Sequence, residues 1–137
     1  MFDALKIAAS GLAASSVQLG VVASNLANIN TTVTPGGGPY RREMVLLQSL
    51  PPYASGLDRG VGQGVAVAAI VGDPSPFPLV YNPTNPAANA QGYVAYPNVH
   101  LATEMVDMIA ASRSYQADAT AFQAAQSLDV KALTLSA

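Results

Sequence analysis

The chain contains no cysteine, and only 10% of its 137 residues are charged. The absence of cysteine excludes disulfides, thiolate metal sites and a cysteine nucleophile, and it is compatible with a reducing or an oxidising compartment. An ordinary soluble protein carries about 25% charged residues, so the surface of this chain is poor in charge. Half of the residues are hydrophobic. This composition predicts that much of the chain is buried in an assembly.

Basic residues are scarce as well. Lys and Arg number six and the net charge is −2, whereas neutralising nucleic-acid phosphates requires a basic face. We therefore expect no nucleic-acid partner.

No charged residue occurs from position 7 to position 40, which makes this segment the natural place to look for a signal peptide or a membrane span. Asp3 stands where a signal peptide has a basic region. Serines and asparagines interrupt every run that approaches the ~20 apolar residues needed for a span. We expect neither feature, so a chain that leaves the cytoplasm would have to be exported with an uncleaved N-terminus.

The segment from residue 98 to residue 137 predicts one long helix. It contains no Pro or Gly, and its apolar residues recur at alternating steps of four and three, which places them on one side of a helix. Asn98 is expected to cap the first turn. At 1.5 Å per residue the helix would be roughly 55 Å long, more than a small domain covers. The apolar side, which we call the C-terminal seam, therefore requires another long helix from this chain or from neighbouring copies. Its members are Leu101, Met105, Met108, Tyr115 and Phe122, and the small residues Ser112 and Ala119 continue the same spacing between them.

Residues 2–29 form a second periodic segment. Leucines recur in it every seven residues, with further apolar or small residues between them, which is the pattern of a coiled-coil helix. Gly11 and Gly20 each cost about 1 kcal/mol relative to alanine in a helix, so we expect this helix to form only against a partner, most simply the C-terminal helix. The residues of this N-terminal seam are Leu5, Leu12, Leu19, Val22 and Leu26.

The residues between the helices predict strands and loops. Three glycines flanked by prolines at positions 35–39 stop the helix and suggest a hinge. Residues 40–50 and 64–71 have strand composition, and the prolines after Asp73 allow only short edge strands such as 79–82. We therefore predict an α+β chain: an N-terminal assembly helix at 1–30, a small β and loop module at 31–97, and a C-terminal assembly helix at 98–137. The two long helices pack as a coiled-coil-like pair.

Few residues suggest catalysis or cofactor binding. The glycine clusters match neither a P-loop nor a dinucleotide-binding loop. His100, Glu104 and Asp107 share one helix face and could offer a nitrogen and two carboxylates to a metal, although acidic residues are common in a first helical turn for dipole reasons. Arg113 has no acidic residue three or four positions away. It is either a solvated arginine or the partner of a group on another helix or subunit.

A motif at the end of the first helix identifies a family. Residues 24–31, which include Asn25, Asn28, Asn30 and Thr31, resemble the signature of bacterial flagellar rod and hook proteins, and the rest of the chain resembles proximal rod proteins of the FlgC type. Further segments carry the resemblance, and they are residues 35–42, 64–67, 70–71, 73–76, 80–83, 92–94, 97–99, 104–109 and 111–115. Three positions depart from the usual pattern: Asn85 where His is common, Asn89 where Asp is common and His100 where Asn is common.

The resemblance implies a structural subunit of the flagellar basal body that catalyses nothing and needs no cofactor. It implies export by the flagellar type III apparatus without signal cleavage, and helical polymerisation into the rod that crosses the periplasm. In that family the terminal helices form the inner tube around the export channel, and the middle module lies outside. The implied partners are other proximal rod proteins, the distal rod, the rod adaptor at the membrane ring and further copies of the chain.

Two other functions remain open at this point. A soluble coiled-coil adaptor would form a discrete oligomer rather than a polymer. A metal-dependent enzyme would use His100, Glu104 and Asp107, and it would lose its activity when these three residues are replaced by alanine.

Overall fold

Two long helices at the ends of the chain, with a small strand module between them in the sequence, form this computed structural model, which describes residues 2–51 and 62–135. The predicted α+β class and the packing of the terminal helices against each other are confirmed. Gly56 and Gly60, which with Gly62 and Gly64 predict a turn-rich loop between the first two strands, lie outside the described residues. The elements are α1 (Phe2–Ala27), β1 (Glu43–Ser49), β2 (Val65–Gly72), β3 (Leu79–Tyr81), β4 (Tyr93–Ala95) and α2 (Leu101–Leu135).

The first helix, α1, ends where the asparagine motif begins to bond with its own backbone. The Asn28 side-chain amide donates to the Ser24 carbonyl at 2.9 Å, and the Thr31 hydroxyl donates to Asn28 Oδ1 at 3.1 Å. These bonds satisfy a carbonyl in the last turn and turn the chain toward the strand module. Gly11, in the middle of α1, lies against the Asp118 carboxylate, which a Cβ at this position would meet at 2.7 Å. The glycine that weakens the isolated helix therefore permits a close approach of α2.

The second helix, α2, begins at Leu101 rather than directly after Asn98, and His100 takes the capping position that was predicted for Asn98. The Glu104 N–H donates to the carbonyl of His100 at 3.0 Å, so His100 precedes the first turn. Asn98 does not cap the helix, because its side chain bonds to the strand module instead. The prediction of an Asn98 cap was therefore wrong, and tertiary contacts outweigh the local preference of asparagine for helix starts.

The strand module consists of two separate antiparallel ribbons. In the first, β1 pairs with β2, and the register shifts by one residue between Leu46 and Leu47. In the second, β3 pairs with β4, and the rings of Tyr81 and Tyr93 meet edge to face at 5.3 Å. The strands predicted at 40–50, 64–71 and 79–82 are present, and their ends differ from the prediction by at most three residues. The three-residue strand β4 was not predicted because it is too short to show a period.

The glycines at 36–38 form a hydrogen-bonded turn, and their role as a hinge stays a prediction. Gly37 and Gly38 have φ angles of 84° and 75°, a region that favours glycine. Backbone hydrogen bonds join Thr34 to both of these glycines, and Tyr40 N–H donates to the Thr31 carbonyl at 2.9 Å. This loop returns the chain from the end of α1 to the start of β1.

The helices pack through small side chains. On α2 the residues that turn toward α1 include Glu104, Ala111 and Asp118, a row one residue before the predicted row of Met105, Ser112 and Ala119. One residue corresponds to about 100° around a helix. Few side chains are buried, and most of them are small: the buried hydrophobic residues are Ala8, Ala14, Val21, Val22, Val94, Val99 and Ala111.

Helix α1 is long and apolar enough to cross a membrane by length and composition alone, with a hydropathy of 1.5 over Asp3–Ala27. In this structure its polar residues bond to the rest of the chain. The Ser10 hydroxyl accepts from the Val65 N–H at 3.1 Å, and the Ser15 hydroxyl donates to Asp118 at 3.4 Å. A helix in these contacts packs within the protein, and the expectation that the chain has no span stays a prediction.

Candidate functional site

A cluster of polar side chains joins the end of α1, the strand module and the start of α2. At its centre Arg42 Nε donates to Glu104 Oε1 at 2.5 Å, and Arg42 Nη2 donates to Asp107 Oδ2 at 2.9 Å. Arg42 Nη1 lies 3.5 Å from Asp73 Oδ2. We call this group the Arg42 cluster, and its members are Asn25, Arg42, Asp73, Asn98, Glu104 and Asp107.

Glu104 is the most deeply buried charged side chain of the cluster, with 0% of its surface exposed. A buried carboxylate is costly unless it is paired and its oxygens are hydrogen-bonded. Arg42 supplies the opposite charge, and Asn25 Nδ2 donates to the second carboxylate oxygen at 3.1 Å. The hydrogen bond to Glu104 is also the main reason that the pKa of the Arg42 guanidinium lies above its usual value. The Glu104 carboxylate can therefore remain buried only while Arg42 and Asn25 are both bound to it.

The Asn25 side chain connects α1 to the strand module. It forms with the Glu43 backbone the two hydrogen bonds that a residue of a neighbouring β-strand would form. Its Nδ2 donates to the Glu43 carbonyl at 2.8 Å, and its Oδ1 accepts from the Glu43 N–H at 2.9 Å. Oδ1 also accepts from the Tyr40 hydroxyl at 3.0 Å. Burial is the main cause of the raised pKa of Tyr40. Because 1% of Asn25 is exposed, water cannot replace these bonds.

Asn98 makes the corresponding contacts ahead of α2. Its Oδ1 accepts from the Arg42 N–H at 2.8 Å, and its Nδ2 lies 3.3 Å from the Asp73 carbonyl and 3.2 Å from that of Ser75. Asp73 in turn accepts from the Ser75 N–H and hydroxyl, and these bonds, with a smaller contribution from Arg42, lower its pKa. The start of β1 and the end of β2, which lie side by side at one end of the first ribbon, are thus held against the start of α2.

The other motif residues have smaller roles in the single chain. Asn28 and Thr31 close the end of α1, as described above. Asn30 is exposed and makes no side-chain hydrogen bond with the described residues. Arg113 is also exposed and forms no ion pair within the described part of the chain, so both a solvated arginine and a contact with another subunit stay open.

The two predicted seams differ in exposure. The N-terminal seam residues are half-buried, and Val22 is buried. In the C-terminal seam only Met108 and Phe122 are half-buried, whereas Leu101, Met105 and Tyr115 have 42–52% of their surface exposed. The requirement of the C-terminal seam for a partner is therefore not met within one copy.

The three residues weighed as a metal site serve other purposes here. Glu104 and Asp107 both bind the Arg42 guanidinium, and His100 is exposed. Within residues 2–51 and 62–135 no three His, Cys, Asp or Glu side chains converge on a point where they could hold a metal ion. The acidic pair on this helix face recognises an arginine of the same chain.

An open groove of about 440 Å³ lies beside the Arg42 cluster, between α1, β1 and α2. Its walls combine apolar and charged side chains. They are formed by Gln18, Val21, Val22, Asn25, Arg42, Glu43, Met44, Val45, Glu104, Asp107, Ala110, Ala111 and Ser114.

Two of the three departures from the family pattern lie in the turn between β3 and β4. Asn85 Oδ1 accepts from the Ala87 N–H at 2.9 Å. Asn89 Oδ1 accepts from the N–H groups of Gln91 and Tyr93, each at 3.0 Å. An aspartate oxygen would accept both of these bonds equally well, so asparagine at position 89 preserves the turn.

Sequence reasoning missed the role of Arg42, Asp73 and Asn98. Two signals pointed to it. Glu104 and Asp107 occupy one face of a helix in a chain with few charges, which requires a cation nearby, and Arg42 follows directly on the turn that leaves the asparagine motif. The pairing itself depends on tertiary structure, because Arg42 and Glu104 are 62 residues apart.

The comparisons with known proteins agree with this architecture. Residues 5–33 match a model of the flagella basal body rod protein, and residues 90–135 match a model of the C-terminal region of flagellar basal body rod FlgEFG proteins. Similar proteins named flagellar basal-body rod protein FlgC occur in Borreliella burgdorferi, with 41% identity, and in Bacillus subtilis, with 44%; each alignment covers 98% of this chain and 97% of the relative. The relative of the same name in Salmonella typhimurium is 43% identical over the same shares. The chain belongs to the FlgC family of flagellar basal-body rod proteins.

Proposed function

We propose that this chain is a structural subunit of the bacterial flagellar basal-body rod, where it polymerises helically with other rod proteins to form the drive shaft and the export channel. The observation that carries the proposal is the exposed C-terminal seam on a helix of 35 residues, in a chain that belongs to a rod family. Exposed apolar rows of this length require neighbours. Polymerisation supplies them along the whole helix.

We assign the three segments of the chain to different roles in the rod. Residues 1–30 and 98–137 act as the assembly helices, and residues 31–97 form a module that the Arg42 cluster holds at one end of the helix pair. In the rod the helices line the inner tube and the module faces outward. The distal half of α2, residues 119–135, becomes ordered when neighbouring subunits bury it. The loss of conformational entropy on ordering is therefore offset only when the subunit enters the rod.

The partners of the subunit are other proximal rod proteins, the distal rod, the rod adaptor at the membrane ring and the flagellar type III export apparatus. The last of these exports the chain with its N-terminus intact. The subunit has no catalytic role: the acidic residues on α2 that suggested an enzyme are bound to Arg42. A soluble adaptor would instead give one discrete mass in solution.

Replacement of a seam residue tests the proposal. Leu19→Asp places a charge on the N-terminal seam, and we expect it to abolish incorporation into the rod and motility. Leu19→Met keeps the volume and apolar character of the side chain and should incorporate normally. The measurement is the amount of the chain in purified basal bodies, together with swimming on soft agar. Normal motility of the Leu19→Asp strain would refute the assembly role of the seam.

A further inference from the structure

The structure leaves two complementary surfaces without a partner inside one copy. The first is the groove beside the Arg42 cluster. Its walls hold three carboxylates, those of Glu43, Glu104 and Asp107, and one guanidinium, that of Arg42, which gives a net charge of −2. The Glu43 carboxylate forms no ion pair or hydrogen bond with the described residues, and the Asp107 side chain is 44% exposed. The groove therefore presents unneutralised negative charge between apolar walls.

The second surface lies on the far side of α2. Leu101, Met105 and Ile109 follow one another at steps of four residues, which places them in one row on a helix, and Val106 lies beside them. All four side chains are 51–64% exposed. The next position of the row is Arg113. We call these five residues the outer row: an exposed apolar strip that ends in a cation without an ion-pair partner among the described residues.

The other described cations suit the groove less well. Arg41 stacks on the Phe77 ring at 4.3 Å and donates to the carbonyls of Asp73 and Ser75. Lys6 lies three residues from Asp3 on the same helix, a spacing at which opposite charges attract. Arg113 alone combines an apolar row leading to it with a guanidinium that can bind a carboxylate through two parallel bonds.

We propose that the outer row of one copy docks into the groove of a second copy, with Arg113 paired with Glu43. The inference rests on the proposed function, because it specifies how neighbouring subunits meet. Within one copy the row cannot reach its own groove, since the residues of α2 that line the groove, such as Asp107 and Ala111, lie on the opposite side of that helix. The two surfaces are different patches of one molecule, so their contact is head to tail. Repeated contacts of this kind build a ring or a helical polymer rather than a closed dimer.

Cross-linking in assembled basal bodies tests the contact. The chain has no cysteine of its own, so introduced cysteines give an unambiguous signal. Two versions of the full chain with tags of different size are expressed together, one carrying Glu43→Cys and the other Arg113→Cys. The purified basal bodies are then treated with a thiol oxidant. A matched control replaces Arg113→Cys with Lys131→Cys, an exposed cation on α2 outside the outer row.

We expect a disulfide-linked product of both tags from the 43 and 113 pair, with a yield several-fold above that of the 43 and 131 pair. Equal yields, in basal bodies that contain both versions, would overturn the docking and leave the rod function intact. Absence of the unmodified chain from basal bodies would overturn the rod function, and the docking with it.

A charge exchange provides the second measurement. Arg113→Glu should weaken the association of purified copies about tenfold, and Glu43→Arg should do the same. The double variant with both changes restores the pair and should recover most of the association. If the association free energy lost in the double variant equalled the sum of the losses in the two single variants, residues 43 and 113 would not be partners.

Discussion

The two ends of the helix pair are held together by different means. At one end the Arg42 cluster joins α1, β1, β2 and α2 through hydrogen bonds and ion pairs of 2.5–3.5 Å. In the part of the chain that the structure describes, no buried side-chain nitrogen or oxygen lacks a hydrogen-bond partner. Toward the distal end α1 and α2 share the contact of Ser15 with Asp118, at 3.4 Å, and small side chains, and one hydrogen bond, from the Val65 N–H to the Ser10 hydroxyl, ties α1 to the strand module. Large residues on α2 remain exposed there, such as Leu128 at 62% and Val130 at 55%.

The comparison teaches which part of the fold one chain specifies for itself. Directional polar contacts fix the angle and register of the helices at the Arg42 cluster, because a buried carboxylate admits few alternative arrangements. Along the distal half, apolar rows without such contacts can accept neighbours. A subunit whose helices are fixed at one end by directional polar contacts, and at the other end mainly by small side chains, is suited to enter a polymer in a defined orientation.

The largest expected effect is the loss of Arg42. Arg42→Met leaves the Glu104 carboxylate buried without its cation, and we expect the free energy of unfolding to fall by about 3–5 kcal/mol. Arg41→Met is the matched control, since this neighbouring arginine is exposed and its loss should cost about 1 kcal/mol or less. Urea unfolding followed by circular dichroism measures both. Equal losses would show that the Arg42 cluster does not hold the fold together.

Alanine substitutions at the three asparagines of the motif should lower the free energy of unfolding by three different amounts. Asn25→Ala removes one hydrogen bond each from Glu104 and the Tyr40 hydroxyl and both side-chain bonds to the Glu43 backbone, and should cost about 2–3 kcal/mol. Asn28→Ala removes only the bonds that close α1 and should cost about 1 kcal/mol. Asn30→Ala, at an exposed position, should stay within about 0.5 kcal/mol. Urea midpoints that are equal for all three variants would contradict the assignment of Asn25 to the Arg42 cluster.

Apolar residues of the two helices should affect different measurements. Val22→Ala removes buried methyl groups and should lower the stability of the free chain by about 1.5 kcal/mol. Leu128→Ala should change it by less than about 0.5 kcal/mol and instead reduce the amount of the chain in purified basal bodies. A large loss of free-chain stability from Leu128→Ala would mean that the distal end is packed within one copy.

The smallest expected effect is on the free energy of unfolding at low pH, and it comes from Asp73. The folded-state pKa of Asp73 lies below its unfolded value of 3.8, mainly because Ser75 donates two bonds to it. Its contribution is therefore present above that value and is lost as the pH falls through the folded-state pKa. Asp73→Asn should remove this contribution, so the variant loses stability less steeply than the unmodified chain below about pH 4. Parallel curves of urea midpoint against pH would contradict the role of Asp73.

Much of this fold follows from sequence patterns, and the reason is visible at particular residues. The leucines of α1 and the absence of Pro and Gly from α2 define both helices, and alternation in residues 64–71 defines the best strand. The face of α2 that meets α1 was missed by one residue, because the predicted apolar row includes the exposed Leu101, Met105 and Tyr115, while Glu104 and Ala111 face inward. Periodicity counts apolar residues as interior, and here a buried glutamate breaks that rule.

The Arg42 cluster was less accessible to sequence reasoning. Asn25 and Asn28 were singled out by the motif, but a motif does not say that Asn25 pairs with the backbone of Glu43. Asn98 shows the opposite error, since a local rule predicted a helix cap and long-range bonds to Asp73 and Ser75 prevail. Contacts between residues far apart in the chain depend on the whole fold, and no local pattern encodes their partners.

Hydrogen exchange on the purified chain, read amide by amide, tests the contrast between the two ends most directly. We predict strong protection at the hydrogen-bonded amides of residues 24–31, 42–48 and 104–111, and near-intrinsic exchange in α2 beyond residue 118. On incorporation into the rod the second group should become protected. Uniform protection along both helices of the free chain would contradict the account, because the distal end would then be complete without neighbours.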